Sequence, residues 1–253
     1  MKKILFLMTL LIPLVSCQFI PSDRKVNPAS EEYFTEKIRQ ATLLIKIASI
    51  KPENMSVGYS IGTVVQYREE IYLVTHNHYD DLLDDMNIIE FRDSENHKIK
   101  QIYAFDFKKW IVYQDPGTLV LCVPDFLADA LTPVKFEPQP QWKPGDTVQV
   151  AHRGGPDRDK VEILEAVIEE IGTSKSTPVY RFRSLDGQEI AQGDSGGGVW
   201  LNGTLIANNW AVITKSSITT TSGNPSSASE IQTDLSIAAV LPELIFSLDG
   251  TTY

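Results

Sequence analysis

From Thr42 onward the chain consists of short runs rich in β-branched and aromatic residues, separated by turn signals. Strand-length runs of this kind lie at residues 42–47, 60–65, 71–75, 119–123 and 204–213. Pro-Gly and Gly-Gly pairs within 143–146 and 153–156 mark tight turns. Many short strands without long helical periods predict an all-β domain, either a barrel or a sandwich.

Apolar burial has to hold this domain together. The chain has only two cysteines, Cys17 and Cys122, and 42% of its residues are hydrophobic. Cys122 lies in the apolar run 119–123, so we expect a buried core thiol. If Cys17 carries a lipid, no disulfide can form within the chain, and apolar burial must supply the stability.

The N-terminus has the features of an export signal. A basic start, Lys2-Lys3, precedes an apolar run at 4–15 that is too short for a permanent membrane span. The run ends in Leu-Val-Ser before Cys17, which resembles the bacterial lipobox. We therefore expect a lipoprotein-type signal peptide at 1–16 and a lipid on Cys17, the only expected link to a membrane. An ordinary secretory signal with an incidental Cys17 is the alternative.

The same pattern predicts where the protein acts and how the chain is divided. We expect an exported, envelope-anchored lipoprotein, or a periplasmic or secreted protein if Cys17 is not lipidated. Residues 17–40 are predicted to form a tether and a short helix, and residues 41–253 the main domain. Prolines cluster at 133–144, where we place the break between its two halves. The net charge of −10 and the lack of a basic stripe argue against nucleic acid as a partner.

The run Gly193-Asp194-Ser195-Gly196-Gly197 carries the strongest chemical signal. A serine hydroxyl needs a base to become a nucleophile, and the resulting oxyanion needs preorganised donors. Glycines on both sides allow a tight turn, in which the N–H groups of Gly193 and Ser195 can form an oxyanion hole. The sequence therefore predicts Ser195 as a catalytic nucleophile.

The order of candidate residues excludes one hydrolase fold. The run also satisfies G-x-S-x-G, the nucleophile elbow of α/β-hydrolases, in which the catalytic histidine follows the serine. Here all four histidines, His76, His78, His97 and His152, precede Ser195. The order histidine, acid, serine fits the other template.

The histidine and the acid resemble those of the trypsin/chymotrypsin family and its exported bacterial members. In Leu-Val-Thr-His-Asn-His, residues 73–78, the last histidine matches the position of the histidine in V-T-A-A-H. The resemblance makes His78 the base and Asp115, which precedes an apolar strand, the orienting acid. The family usually has D-x-A-x-L there, whereas Pro116-Gly117 intrudes here. Asp106 is the reserve acid, and a plain Asp-Pro-Gly turn is the structural alternative.

The resemblance covers roughly residues 40–250 and implies a fold and an activity. It implies an all-β protein of two six-stranded antiparallel β-barrels packed together (chymotrypsin-like), with the active site in the cleft between them. The implied activity is that of a serine endopeptidase, acting on polypeptide substrates through an acyl-enzyme. The family requires no metal and no organic cofactor, and we expect a monomer.

The resemblance also assigns specificity and activation roles. Glu189 and Gln192 would line the primary substrate pocket, and Trp210 the wall beside the substrate backbone. Asp194 would pair with a freed amino terminus, which a lipidated Cys17 could not supply. Either further cleavage occurs near 25–45, or Asp194 has another partner.

Three other functions are compatible with the sequence. A catalytically inactive homologue could serve as an envelope binding protein. His76 and His78, followed by Asp80 and Asp81, could bind a metal, because side chains at i and i+2 of a strand share a face. An esterase on the same scaffold is the third.

Overall fold

The computed structural model describes residues 31–49, 56–77, 86–137, 142–174, 177–188, 190–213 and 235–241. Cys17 and the predicted signal lie outside these residues, as do His78 and Glu189. None of the described helices is both long and apolar enough to cross a membrane.

The first described element is helix α1 (Glu31–Ala41), which confirms the predicted short helix. Its first turn is acidic and its last turn carries Arg39, charges that suit the helix dipole. Ile38 and Ala41 are buried on its inner face. Phe34 lies against Gly203, where a Cβ would overlap its ring, so the helix packs on the C-terminal half of the domain.

The N-terminal half is an eight-stranded sheet. Its strands are β1 (Thr42–Ala48), β2 (Val57–Tyr67), β3 (Glu70–Thr75), β4 (Ile88–Arg92), β5 (Lys98–Tyr103), β6 (Ile111–Gln114), β7 (Leu119–Cys122) and β8 (Val134–Lys135). They run in the order β5-β4-β1-β2-β3-β7-β6, and β8 pairs with β2. The short helices α2 (Ala104–Lys108) and α3 (Asp125–Ala128) connect strands of this sheet.

The C-terminal half is a closed barrel of six antiparallel strands. These are β9 (Thr147–Gly154), β10 (Lys160–Ser174), β11 (Thr177–Ser184), β12 (Gly198–Leu201), β13 (Thr204–Ile213) and β14 (Leu235–Val240). They close in the order β10-β11-β14-β13-β12-β9. The all-β prediction is confirmed. The C-terminal half matches the predicted six-stranded barrel, whereas the described residues of the first half form an eight-stranded sheet, in which β8 adds a short parallel pairing of Val65 with Val134.

The two halves share one buried core. Leu44, Ile61 and Val74 from the first half pack in the same cluster as Trp200 and Leu205 from the second. Each half also has an apolar core of its own. The shared cluster stabilises the two halves as one packed body and fixes the cleft between them.

The free thiol corrects one sequence prediction. Cys122 is exposed and not a core residue. It is the last residue of β7, whose three preceding residues are buried, and burial ends with the strand. Partial burial and then Glu70 raise the pKa of the Cys122 thiol, which lowers its reactivity.

Aromatic side chains fill the core of the first half. Phe91 is fully buried and lies 6.3 Å from the ring of Phe107, 6.3 Å from Trp110 and 6.1 Å from Phe126, measured between ring centroids. Such pairs add to the free energy gained from apolar burial.

We expect Phe91→Ala to lower the free energy of unfolding by about 3–5 kcal/mol, because it leaves a cavity among three other aromatic rings. Urea denaturation measures this change. Phe105→Ala removes an exposed ring from the neighbouring helix α2 and should cost less than about 1 kcal/mol. Equal losses in the two variants would contradict a packed aromatic core around Phe91.

Candidate active site

Ser195 lies in a tight turn between β11 and β12. Gly193 and Gly196 have φ angles of +96° and +87°, a region that side-chain-bearing residues rarely adopt. The Asp194 N–H donates to Ala191 O at 3.1 Å, and the Gly197 N–H donates to Asp194 O at 3.0 Å. The glycine-rich run therefore forms the tight turn that the sequence predicted.

The glycines of this turn also allow it to touch both halves of the domain. A Cβ on Gly196 would overlap Ile61 O and lie 2.9 Å from His76 N, both in the first half. A Cβ on Gly197 would overlap Ala151 O in the barrel. The Ser195 turn thus lies between the halves, directly against the end of β3, and His78 follows the last residue of β3 by three positions.

Backbone contacts hold Ser195 itself in place. Its carbonyl oxygen accepts hydrogen bonds from Ile61 N at 2.9 Å and from Ser60 Oγ at 2.7 Å. Its Oγ lies 3.4 Å from Trp210 O, a long contact that leaves the hydroxyl free to reorient. No acceptor among the described residues takes the N–H of Gly193 or of Ser195. Two N–H groups next to the nucleophile are therefore available to an oxyanion.

Asp194 has a partner within the chain. Its carboxylate is fully buried and accepts hydrogen bonds at 2.7 Å on both oxygens from Nη2 of Arg158. The N–H of Arg153 donates to Oδ1 at 2.8 Å, and that of Ala191 to Oδ2 at 2.7 Å. In the uncleaved chain Asp194 therefore has a partner other than an amino terminus, and cleavage near 25–45 stays a prediction.

The strand that leads to the predicted base ends beside the predicted acid. Thr75, the last residue of β3, pairs with Leu119, the first residue of β7. His76 follows, buried, with its Nδ1 2.9 Å from Gly117 O. A carbonyl only accepts, so Nδ1 carries the proton in this contact. The His76 ring also lies 5.8 Å from the ring of Trp210.

Asp115 lies next to this segment, but its carboxylate already accepts hydrogen bonds from three donors. Oδ1 accepts the N–H groups of Gly117 and Thr118, each at 2.7 Å, and Oδ2 accepts Tyr113 Oη at 2.8 Å. Burial, followed by this bond to Asp115, raises the pKa of Tyr113 to about 12. Asn77 Nδ2 donates to the Asp115 backbone oxygen at 2.6 Å. The Asp-Pro-Gly turn is real, and it places Asp115 against the residue before His78.

The other predicted residues fall into three groups. Asp106, the reserve acid, lies on helix α2, largely exposed and ion-paired to Lys109 at 2.9 Å, so nothing directs it to this site. Gln192 lines the cleft next to Ser195. His78, Glu189 and the lipidation candidate Cys17 lie outside the described residues, and their roles stay predictions.

Nothing in the described part of the chain supports the alternative of a metal site at His76 and His78. Among those residues no three His, Cys, Asp or Glu side chains are grouped as metal ligands. His76 already uses Nδ1 on Gly117 O. His78, Asp80 and Asp81 lie outside the described residues.

Comparison with known proteins identifies the fold. No family model and no curated protein matches the sequence. The structure is similar to the HtrA-type protease AlgW with a tripeptide, with a TM-score of 0.54 and 15% identity over 83% of this chain and 60% of that one. It is also similar to the active form of the Rv3671c protease from M. tuberculosis, with a TM-score of 0.52 and 17% identity over 91% and 90% of the two chains. An inactive form of a serine-to-alanine mutant of Rv3671c matches with a TM-score of 0.52 and 15% identity, over 87% and 92%.

The chain has the fold of the trypsin-like serine proteases. It spans 60% of the AlgW chain, and at these identities the likeness concerns the fold. The predicted fold family is thereby confirmed. The nucleophile turn lies between the two halves of this trypsin-like fold, as the cleft location predicted.

The sequence did not predict the two arginines that lie beside the Ser195 turn. Arg158 and Arg153 flank a Gly-Gly-Pro segment that indicated only a turn. Their roles depend on Asp194 and Gly193, some 40 residues later in the chain. No local pattern in the sequence signals such a pairing.

We expect Arg158→Ala to lower the free energy of unfolding by about 1–3 kcal/mol, because it leaves the buried Asp194 carboxylate with backbone donors alone. Arg183→Ala is the matched control, because the side chains of Arg158 and Arg183 are similarly exposed, at 36% and 38%. Their partners differ: the side chain of Glu169, the partner of Arg183, is 39% exposed, whereas that of Asp194 is 0% exposed. This surface pair should contribute less than about 1 kcal/mol. Denaturant unfolding of both variants tests the difference, and an equal effect would contradict a structural role for the Asp194–Arg158 pair.

A buried histidine behind the turn predicts a pH dependence of stability. His152 is buried in β9, and neither ring nitrogen has a partner among the described residues. Burial lowers its pKa from 6.5, and Arg158 acts in the same direction, whereas Asp194, Glu162 and Asp186 oppose the shift. Below pH 6.5 the unfolded chain therefore binds a proton that the folded chain resists.

The free energy of unfolding should thus be at its full value above pH 6.5 and fall as the pH drops towards the lowered pKa of His152. We expect His152→Leu to flatten this fall between pH 7.5 and 5.5 in urea titrations, given that no buried imidazole then has to be charged. His97→Asn, at an exposed position, should keep the wild-type slope. An unchanged slope in His152→Leu would assign the acid sensitivity to other groups.

Proposed function

We propose that this protein is a serine endopeptidase with Ser195 as its nucleophile. The proposal rests on the position of the Ser195 hydroxyl. It lies between the two halves of a protease fold, beside two backbone N–H groups that have no acceptor among the described residues. An acyl-transfer enzyme needs this combination of nucleophile and preorganised oxyanion donors.

The proposed reaction follows the serine-protease scheme. Ser195 Oγ attacks the scissile carbonyl carbon while His78 accepts its proton, and the carbonyl oxygen becomes an oxyanion that the N–H groups of Gly193 and Ser195 stabilise. His78 then gives the proton to the leaving amine, and the C–N bond breaks to form an acyl-enzyme. Water, deprotonated by His78, hydrolyses the ester and restores Ser195.

Asp115 is proposed as the group that orients His78. The support is its place: the Asn77 side chain binds the Asp115 backbone oxygen, and Asn77 directly precedes His78. Three donors hold the carboxylate in one position, so it can act as a fixed partner. A fixed anion next to an imidazole selects its tautomer and stabilises its charged form.

The same three donors favour a second candidate function, an inactive binding protein on the protease scaffold. A carboxylate saturated by Gly117, Thr118 and Tyr113 has less capacity left for an imidazole N–H. In that case the cleft would bind a polypeptide without cleaving it. The primary-pocket roles of Glu189, Gln192 and Trp210, and envelope anchoring through Cys17, are proposals that apply to either function.

Labelling with a fluorophosphonate probe tests the enzyme against the binding protein. We expect the wild type to be labelled, and Ser195→Ala and His78→Ala to lose labelling, because an unactivated serine does not react. His97→Ala, an exposed histidine, is the matched control and should be labelled like the wild type. Asp115→Asn should slow labelling by about 100-fold or more through loss of the orienting charge.

A folded wild-type protein that resists labelling, with the circular dichroism and melting behaviour of a β-protein, would overturn the endopeptidase and favour the binding protein. Labelling that survives in His78→Ala would contradict the proposed base.

A further inference from the structure

A cleft with an arginine in its wall opens directly beside the nucleophile. Its lining includes Tyr59, Gln192, Gly193 and Ser195, together with Arg153. Arg153 lies in β9, one residue before the strand ends, and its residue exposure is only 9%. The Arg153 side chain lies close to the loop that carries Gly193, since a Cβ on Gly193 would lie 2.6 Å from Arg153 Nη1.

No ion pair neutralises the charge of Arg153 within the described structure. Its guanidinium lies 4.0 Å above the Tyr59 ring, which orients it without neutralising it. Its Nε is buried without a hydrogen-bond partner, and no ion pair joins it to any described carboxylate. Arg158, by contrast, is ion-paired to Asp194. A buried guanidinium with unused donors is costly unless a ligand supplies an acceptor.

The nearby acids do not supply that acceptor. Arg153 also lines a neighbouring cleft with Asp157 and Asp159, where Lys46 and Arg92 are present as well, but no ion pair joins it to either carboxylate. Asp159 Oδ2 accepts a hydrogen bond from an asparagine side chain. Burial and then Arg158 lower the pKa of Arg153, whereas Asp194, Tyr59 and Asp159 oppose the shift.

The position of this cleft suggests which part of a substrate enters it. Trp210 is the residue expected to form the wall beside the substrate backbone, and Ser195 Oγ lies 3.4 Å from Trp210 O. Trp210 does not line the Arg153 cleft, which is bordered by Gln192 and by the start of β2 at Tyr59. A substrate whose acyl part follows Trp210 would place its leaving-group side in this cleft.

We propose that Arg153 is a specificity-determining residue that binds a carboxylate on the leaving-group side of the substrate, in the first two residues after the scissile bond. The inference rests on the proposed function of the same site. A guanidinium matches a carboxylate with two parallel N–H···O bonds, and in this partly desolvated position the pairing is strong. The chemistry has two sources: an acidic side chain, or the free C-terminus of a substrate cut near its end.

Internally quenched peptides separate these sources. One series carries Glu, Gln or Lys at each of the two positions after the bond, with an amidated C-terminus. The other carries neutral residues there and a free or amidated C-terminus one or two residues after the bond. We expect kcat/KM of the wild type to be at least about tenfold higher for Glu than for Gln, or for the free terminus than for the amide.

The variants assign this preference to Arg153. Arg153→Gln should reduce the ratio to near one, and Arg153→Lys should retain part of it because the charge remains without the bidentate geometry. Arg92→Gln removes a cation from the neighbouring cleft and should keep the wild-type ratio. Melting temperatures of all three confirm that they are folded, and the ratio within one variant is insensitive to its amount of active protein.

Binding to Ser195→Ala makes the test independent of catalysis. Fluorescence anisotropy with the same peptides should show the acidic preference in Ser195→Ala and its loss when Arg153→Gln is added. Preference in binding without any hydrolysis by the wild type would keep the role of Arg153 and overturn the endopeptidase. Hydrolysis with equal rates for Glu and Gln and for both termini would overturn the role of Arg153 alone. Absence of both hydrolysis and binding would overturn both.

Discussion

The buried carboxylate of Asp194 is the interaction on which the candidate site depends. A fully buried anion is tolerated only with compensating charge and hydrogen bonds, and here Arg158 and the N–H groups of Arg153 and Ala191 supply them. Since Arg153 lies at the end of β9 and Arg158 in the turn after it, the carboxylate ties the Gly193 loop to this part of the barrel. In the proposed function this pairing would hold the oxyanion donors in place before a substrate arrives, which is how preorganisation lowers a reaction barrier.

The junction of the two halves is built around the same turn. Gly196 and Gly197 let the backbone approach each half at distances that any Cβ would forbid. The Ser195 carbonyl accepts the N–H of Ile61, and the Gly196 position lies against the N atom of His76, so the Ser195 turn and the segment after β3 are in direct contact.

Two arginines beside the Gly193 loop illustrate how local charge differs from net charge. The chain is acidic, with a formal net charge of −10, yet its candidate cleft presents Arg153 beside Gly193. Arg158 is neutralised by Asp194, whereas Arg153 retains its charge. If the site acts as proposed, this one unpaired cation, and not the overall composition, would set the substrate preference.

The sequence alone determined the all-β class, the tight glycine-rich turn around Ser195, and the order of residues that excludes the α/β-hydrolase fold. These follow from contiguous patterns, strand periodicity and a glycine-rich run, whose physical basis is local backbone sterics. It did not determine that Cys122 is exposed, that Arg158 pairs with Asp194, or that the Asp115 carboxylate is held in its own turn. Only the tertiary structure decided these, because burial and the pairing of charges depend on which distant segments the fold brings into contact, and no local pattern contains that information.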